Sequence, residues 1–143
     1  MKRIQIKRGE AGFTLLELLV VLAIMGLLAA IIAPQVLKYL GTSRTQTARV
    51  QIQNVTAALE MFRLDVGRYP TPTEGLEALV TPPSTATGWN GPYLRKESAL
   101  HDPWGQSYIY KVPGQHGEMD VYTLGSDKSE GGTGEAQDVG NWQ

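Results

Sequence analysis

The chain has 143 residues, a formal net charge of −1 and no cysteine. That length suits one modest domain with an appendage, and the missing thiols exclude disulfides, thiolate metal sites and cysteine nucleophiles. The first twelve residues hold Lys2, Arg3, Lys7 and Arg8 against a single acid, Glu10, so the remainder is net acidic with no dense basic patch, and nucleic acid is not an expected partner.

The first element is apolar. From Phe13 to Ala33 the chain reads FTLLELLVVLAIMGLLAAIIA, with Glu17 its only charge. As a helix rising about 1.5 Å per residue it would measure roughly 30 Å, the thickness of a bilayer's hydrocarbon core. The basic flank lies on the N-terminal side. Such flanks stay in the cytoplasm, so the C-terminal part is expected beyond the membrane. A cleaved secretory signal and a plain anchor helix both fit that outline. Neither accounts for Glu17, because a carboxylate in lipid costs on the order of 2–3 kcal/mol and tends to be functional.

The stretch KRGEAGFTLLELLVVLAIMG, from Lys7 to Gly26, resembles the class III signal of type IV pilins and type II secretion pseudopilins. The resemblance implies that a prepilin peptidase cuts between Gly12 and Phe13 and removes residues 1–12 as a leader. The apolar run then stays on the mature chain, and the same enzyme methylates the new Phe13 amine. Glu17 sits one helical turn inside that new N-terminus, where a negative charge suits the helix dipole. In a helical array of subunits it would neutralise the Phe13 amine of a neighbour and so favour assembly.

Pro34 and Gly41 are weak points in a helix. Beyond them Ala48, Ile52, Val55, Leu59, Phe62 and Val66 recur at spacings of three and four, placing one apolar stripe on one face. The expectation is one long helix from Phe13 to about Val66, bent near Pro34 and Gly41. Residues 13–40 would lie in lipid or in a fibre core, and the amphipathic 41–66 would pack on a small domain.

Residues 67–143 read as a globular region. Gly67 ends the long helix. Thr71, Pro72 and Glu74 match a helix start, so a short helix to about Val80 is expected. A proline- and glycine-rich loop follows, with Trp89, Tyr93 and Trp104 fixing loops onto the domain. Residues 106–124 read as a hairpin turning at PGQHG, with Tyr108 and Tyr110 on one strand and Val121 and Tyr122 on the other. A long helix with a small antiparallel sheet makes the fold class α+β.

The last stretch, LGSDKSEGGTGEAQDVGNW, carries Asp127, Ser129, Glu130, Glu135 and Asp138 among several glycines. Taken alone it fits either a loose polar tail, with Trp142 as an anchor, or an oxygen-rich loop for a hard cation such as calcium. An EF-hand is disfavoured by the preceding strand, by Gly131 at its fifth position and by Asp138 in place of a glutamate at its twelfth.

The motifs GRYPTPTEGLEAL, GPYL, DPWGQSYIY and the acidic tail resemble the G-type branch of the type II secretion pseudopilins across almost the whole chain. The resemblance implies a type IV pilin-like fold whose loop 124–142 folds around one calcium ion. Asp127 and Asp138 would be the side-chain ligands, with the Leu124 carbonyl, Ser129 and a carbonyl near Gln137 as further donors. It also implies a non-enzymatic subunit of a short periplasmic fibre. Its partners would be further copies of itself, minor pseudopilins, the prepilin peptidase and the inner-membrane assembly platform. The lone histidines His101 and His116 belong to no nucleophile–base spacing, in agreement with a structural role. Two other readings are a type IV pilus subunit, which the absent cysteines disfavour, and a membrane-anchored calcium-dependent binding module.

Overall fold

A computed structural model describes residues 12–143; the basic leader lies outside the described residues apart from Gly12. The chain forms two compact units, one ending at Leu37 and one running from Lys38 to Gln143. Helix α1 spans Leu15–Val66, with Pro34 inside it and no break in the helical assignment at Pro34 or Gly41.

Its start is set by Thr14. The backbone amide of Glu17 donates to Thr14 Oγ1 at 3.2 Å, and the amide of Leu18 to the Thr14 carbonyl at 3.2 Å. Thr14 is therefore the N-cap, and the helix begins after it rather than at Phe13. The first unit exposes its apolar side chains, among them Leu15, Leu19, Leu22, Leu27 and Ile31. It belongs to the one helix, among the described residues, long and apolar enough to cross a membrane.

In the second unit α1 buries one face. Ala48, Ile52, Val55, Leu59 and Phe62 are all at most 1% exposed, as the three- and four-residue spacing requires, while Val66 packs half-buried at the margin. Ala58 joins the same face. Burying a side chain such as Phe62 or Leu59 contributes about 1.5–3 kcal/mol each. Opposite them stand Leu76, Leu79, Leu100, Tyr108, Met119, Val121 and Val139. The helix closes with the Gly67 amide on the Arg63 carbonyl at 2.8 Å.

The expected start at Thr71 is present, but the expected short α-helix is not. Thr71 N donates to Glu74 Oε2 at 2.7 Å, and Glu74 N donates to Thr71 Oγ1 at 3.3 Å, the reciprocal pattern of a capping box. Gly75 then adopts φ 60°, ψ −165°, which no α-helix accommodates, and the chain continues as a 3₁₀ turn over Leu76–Leu79. Arg68 grips the same Glu74 through two bonds of 2.7 and 2.8 Å.

The hairpin is formed by β1, Ile109–Lys111, and β2, Asp120–Thr123, paired antiparallel with Tyr110 opposite Val121. A third strand, β3, Val139–Gly140, pairs antiparallel with β2, giving the order β1-β2-β3. Trp89 and Tyr93 fasten their loop as expected: the Trp89 indole N–H donates to the Ala78 carbonyl at 2.8 Å, and Tyr93 meets Phe62 edge-on at 5.7 Å.

Candidate functional site

Two regions carry the sequence-predicted site residues. At the N-terminal end Gly12 and Phe13 precede α1 in non-helical, exposed backbone, and Phe13 is 78% exposed. Glu17 lies in the first turn of α1, its amide held by Thr14. Its carboxylate is exposed and has no cationic or hydrogen-bond partner among the described residues. The threonine cap is a feature that sequence reasoning missed, although Thr-Leu-Leu-Glu carries the capping-box spacing.

The second region is the segment from Leu124 to Asp138, which connects β2 to β3. It is a folded loop, not a loose tail. At its base Asp102 is 5% exposed and accepts from Thr123 Oγ1 at 2.5 Å, from the Gln106 amide at 2.8 Å and from the Trp104 amide at 3.0 Å. Gln106 in turn donates through Nε2 to the Gly125 carbonyl at 2.9 Å. Gly125 has φ 70°, and a Cβ there would lie 2.6 Å from the Glu135 carbonyl oxygen, so only glycine allows the two arms of the loop to approach. The Ser126 amide closes that approach on the Glu135 carbonyl at 2.9 Å.

The loop also rests on α1. Thr45 Oγ1 donates to the Gly134 carbonyl at 3.0 Å, and Arg44 stands 3.8 Å from Glu135. The exposed ion pair contributes little; the buried threonine contact matters more.

Asp127 Oδ1 accepts from the Ser129 amide at 3.1 Å, tying the turn that carries both residues. Asp138 Oδ2 accepts from the Gly131 amide at 2.8 Å, while Asp138 Oδ1 is buried and has no partner. Leu124 and Asp138 line one hollow of about 290 Å³, together with Asp120, Tyr122 and Glu130. Gln137 donates its amide to the Gly134 carbonyl at 3.4 Å.

No cluster of three or more histidine, cysteine or acidic side chains able to hold a metal occurs among the described residues. A cation here would therefore need backbone carbonyls and a hydroxyl beside the carboxylates. Such an all-oxygen donor set suits a hard cation. The orphaned Asp138 Oδ1 would be one such donor, since an unpaired buried carboxylate oxygen costs free energy until a proton or cation meets it.

The far side of the loop is held by residues read from sequence as hairpin strand, turn or anchor. Trp142 meets Tyr122 edge-on at 5.6 Å. Asp120, 2% exposed, accepts from the Gln115 amide at 2.7 Å and stands 3.1 Å from His116 Nδ1. Burial pushes its carboxyl up, but the bonds from Gln115 and His116 outweigh that and hold it below the ordinary range.

Comparison with known proteins yields two family matches. Residues 7–33 match the prokaryotic N-terminal methylation motif, and residues 35–142 match the type II secretion system protein G family. Among curated relatives, the chain is 44% identical over 138 residues to type II secretion system core protein G of Vibrio cholerae, covering 94% of this chain and 93% of the relative. It is 42% identical over 140 residues to the protein of that name from Pseudomonas aeruginosa, with 95% and 97% covered. Its fold is similar to the crystal structure of the major pseudopilin from the type 2 secretion system of enterohaemorrhagic Escherichia coli. That match has a TM-score of 0.59 at 32% identity and covers 70% of this chain and 87% of the other.

Proposed function

The chain belongs to the type II secretion system protein G family, and from that premise we propose how its two ends divide the work of a pseudopilus subunit. The role is structural and not enzymatic. The carrying observation is the order of parts: a methylation motif over residues 7–33 runs directly into a protein G region over 35–142, through one apolar helix exposed along its first half.

Prepilin peptidase trims the chain between Gly12 and Phe13 and methylates the Phe13 amine. Until assembly, residues 13–40 hold the subunit in the inner membrane. The basic leader stays in the cytoplasm and the second unit faces the periplasm. In the fibre, Glu17 of one copy neutralises the Phe13 amine of the next, which offsets the cost of burying both charges. Minor pseudopilins and the inner-membrane assembly platform start and drive the polymer, which moves folded proteins across the outer membrane.

The loop 124–142 binds one calcium ion through Asp127 and Asp138, with Ser129 and the Leu124 and Gln137 carbonyls as further oxygens. The ion's part is structural: it neutralises carboxylates that would otherwise repel and holds the glycine-rich turns. The orphaned Asp138 Oδ1 supports this reading.

The test is Glu17→Ala in the full chain, expressed with the prepilin peptidase and the secretion apparatus. Cleavage at Gly12–Phe13 is expected to continue, while fibres and secretion are lost. Normal fibres from Glu17→Ala would remove the charge pairing, and normal secretion after deletion of the whole chain would remove the assignment itself.

A further inference from the structure

Among the described residues the apolar core takes in no α1 position before Ile52. Ahead of it α1 still has three buried residues, Gly41, Thr45 and Ala48, on successive turns. Two of them are met by the 3₁₀ turn Gly134–Ala136, in the loop between β2 and β3. Glu135 lies across Gly41, where a Cβ would stand 2.7 Å from Glu135 Cγ. Arg44 stands 3.8 Å from the same carboxylate. Thr45 Oγ1 donates to the Gly134 carbonyl at 3.0 Å. The seam is thus made of small and polar groups, and with few apolar contacts it opens locally at less cost than the core.

Thr45 has a second acceptor. Its hydroxyl lies 3.2 Å from the Gly41 carbonyl, one turn back in α1. A hydroxyl has one proton, so the two carbonyls compete for it. When the loop withdraws, the proton stays satisfied inside the helix, and no donor is orphaned. The same 3₁₀ turn also holds both arms of the loop. The Glu135 carbonyl accepts the Ser126 amide at 2.9 Å, next to Asp127, and the Gly134 carbonyl accepts the Gln137 amide at 3.4 Å, next to Asp138. Whatever fixes the two aspartates therefore fixes Gly134 and Glu135, and through them Thr45 and Gly41.

We infer that Gly41 and Thr45 form a latch that cation binding closes. Calcium held by Asp127 and Asp138 docks the Gly134–Ala136 turn on Thr45 and Gly41, and so fastens α1 from Gly41 to Ala48 onto the second unit. Without the ion that stretch opens, while α1 from Ile52 onward stays packed on the core. The inference rests on the calcium reading above and adds where in the fold the ion's effect is felt. Coupling between two sites is reciprocal. The ion tightens the seam, and an intact seam tightens the hold on the ion.

The experiment uses the full chain in detergent micelles, with calcium chloride or chelator. Amide hydrogen exchange is followed by mass spectrometry and calcium affinity by calorimetry. Exchange over residues 45–49 is read relative to the core stretch 55–62, so that a general gain in stability cancels. Calcium is expected to slow the first stretch about tenfold relative to the second. Thr45→Val is expected to bring that gain within about twofold and to weaken calcium binding several-fold, while calcium still slows the Ser126 and Gly131 amides. Thr45→Ser keeps the hydroxyl and should keep both effects. Gly41→Ala pushes on Glu135 without touching the hydroxyl and should weaken both; if Thr45→Val does not fold, this variant decides. Calcium binding with the ratio unmoved, or unchanged affinity in Thr45→Val, would overturn the latch and leave the calcium site standing. No binding by the unaltered chain would sink the calcium reading and the latch together.

Discussion

The imidazole of His116 lies flat on the indole of Trp142, ring centres 3.9 Å apart and planes within 10° of parallel. His116 sits in the turn between β1 and β2, and Trp142 follows β3. The stack therefore ties the last residues to a hairpin formed more than twenty positions earlier. Trp142 is 37% exposed, so its burial is partial and the geometry carries much of the contact.

Trp142→Ala is accordingly expected to destabilise the second unit by about 1–2 kcal/mol. Urea unfolding of a fragment covering residues 38–143 measures this. An unchanged midpoint would mean that the stack is decorative.

Glu74 is the second lever. Hydrogen bonds from Arg68 hold its carboxyl far below the ordinary range; burial opposes them, and Thr85 and Thr71 add to the lowering. A depressed folded-state value stabilises the fold above the unfolded-state value. That contribution is lost as pH falls below about 4 toward the folded-state value. Glu74→Gln is expected to cost about 1–3 kcal/mol at pH 7 and to flatten the fall in stability below pH 4. An equally steep acid limb in the variant would assign that limb to other carboxylates.

Calcium is expected to raise the melting temperature of the same fragment by roughly 5–10 °C at concentrations well above its dissociation constant. Chelator should reverse the rise, and Asp127→Ala and Asp138→Asn should each abolish it. A rise that survives both changes would place the ion elsewhere, and no rise at all would return the loop to a self-sufficient fold.

Gly125→Ala places a methyl group 2.6 Å from the Glu135 carbonyl oxygen at a positive φ. The loop cannot keep its present course with it, and a loss of about 2–3 kcal/mol is expected. Calcium response should weaken in parallel. A wild-type melt would show that the two arms of the loop separate at little cost.

Much of this architecture is legible in the sequence because its signals are periodic. The stripe from Ala48 to Phe62 names its own buried face, and Tyr110 and Val121 meet as alternation predicts. The leader motif and the long protein G motifs carry the family. What stays hidden has no period. Strand β3 is two residues long and embedded in an acidic, glycine-rich stretch, so Val139 reads as loop although it is fully buried. The Thr71–Glu74 capping box is correctly read, but Gly75 diverts the chain into a 3₁₀ turn, a choice made by one dihedral angle. Asp127 and Asp138 are visible as acids, whereas the buried orphan oxygen of Asp138 is a matter of tertiary placement. A hollow lined by Arg49, Asn141 and Gln143 is formed by residues about ninety positions apart, which no local pattern brings together.

Strand β3 and its indole lock lie beyond residue 138, so residues 139–142 complete both the sheet and the His116 stack. Without those residues β2 has an open edge and the core lacks Val139. A copy halted at Gln137 is expected to be cleared by proteases before it reaches a fibre, and pulse-chase of such a copy against the full chain would show whether the difference in lifetime exists.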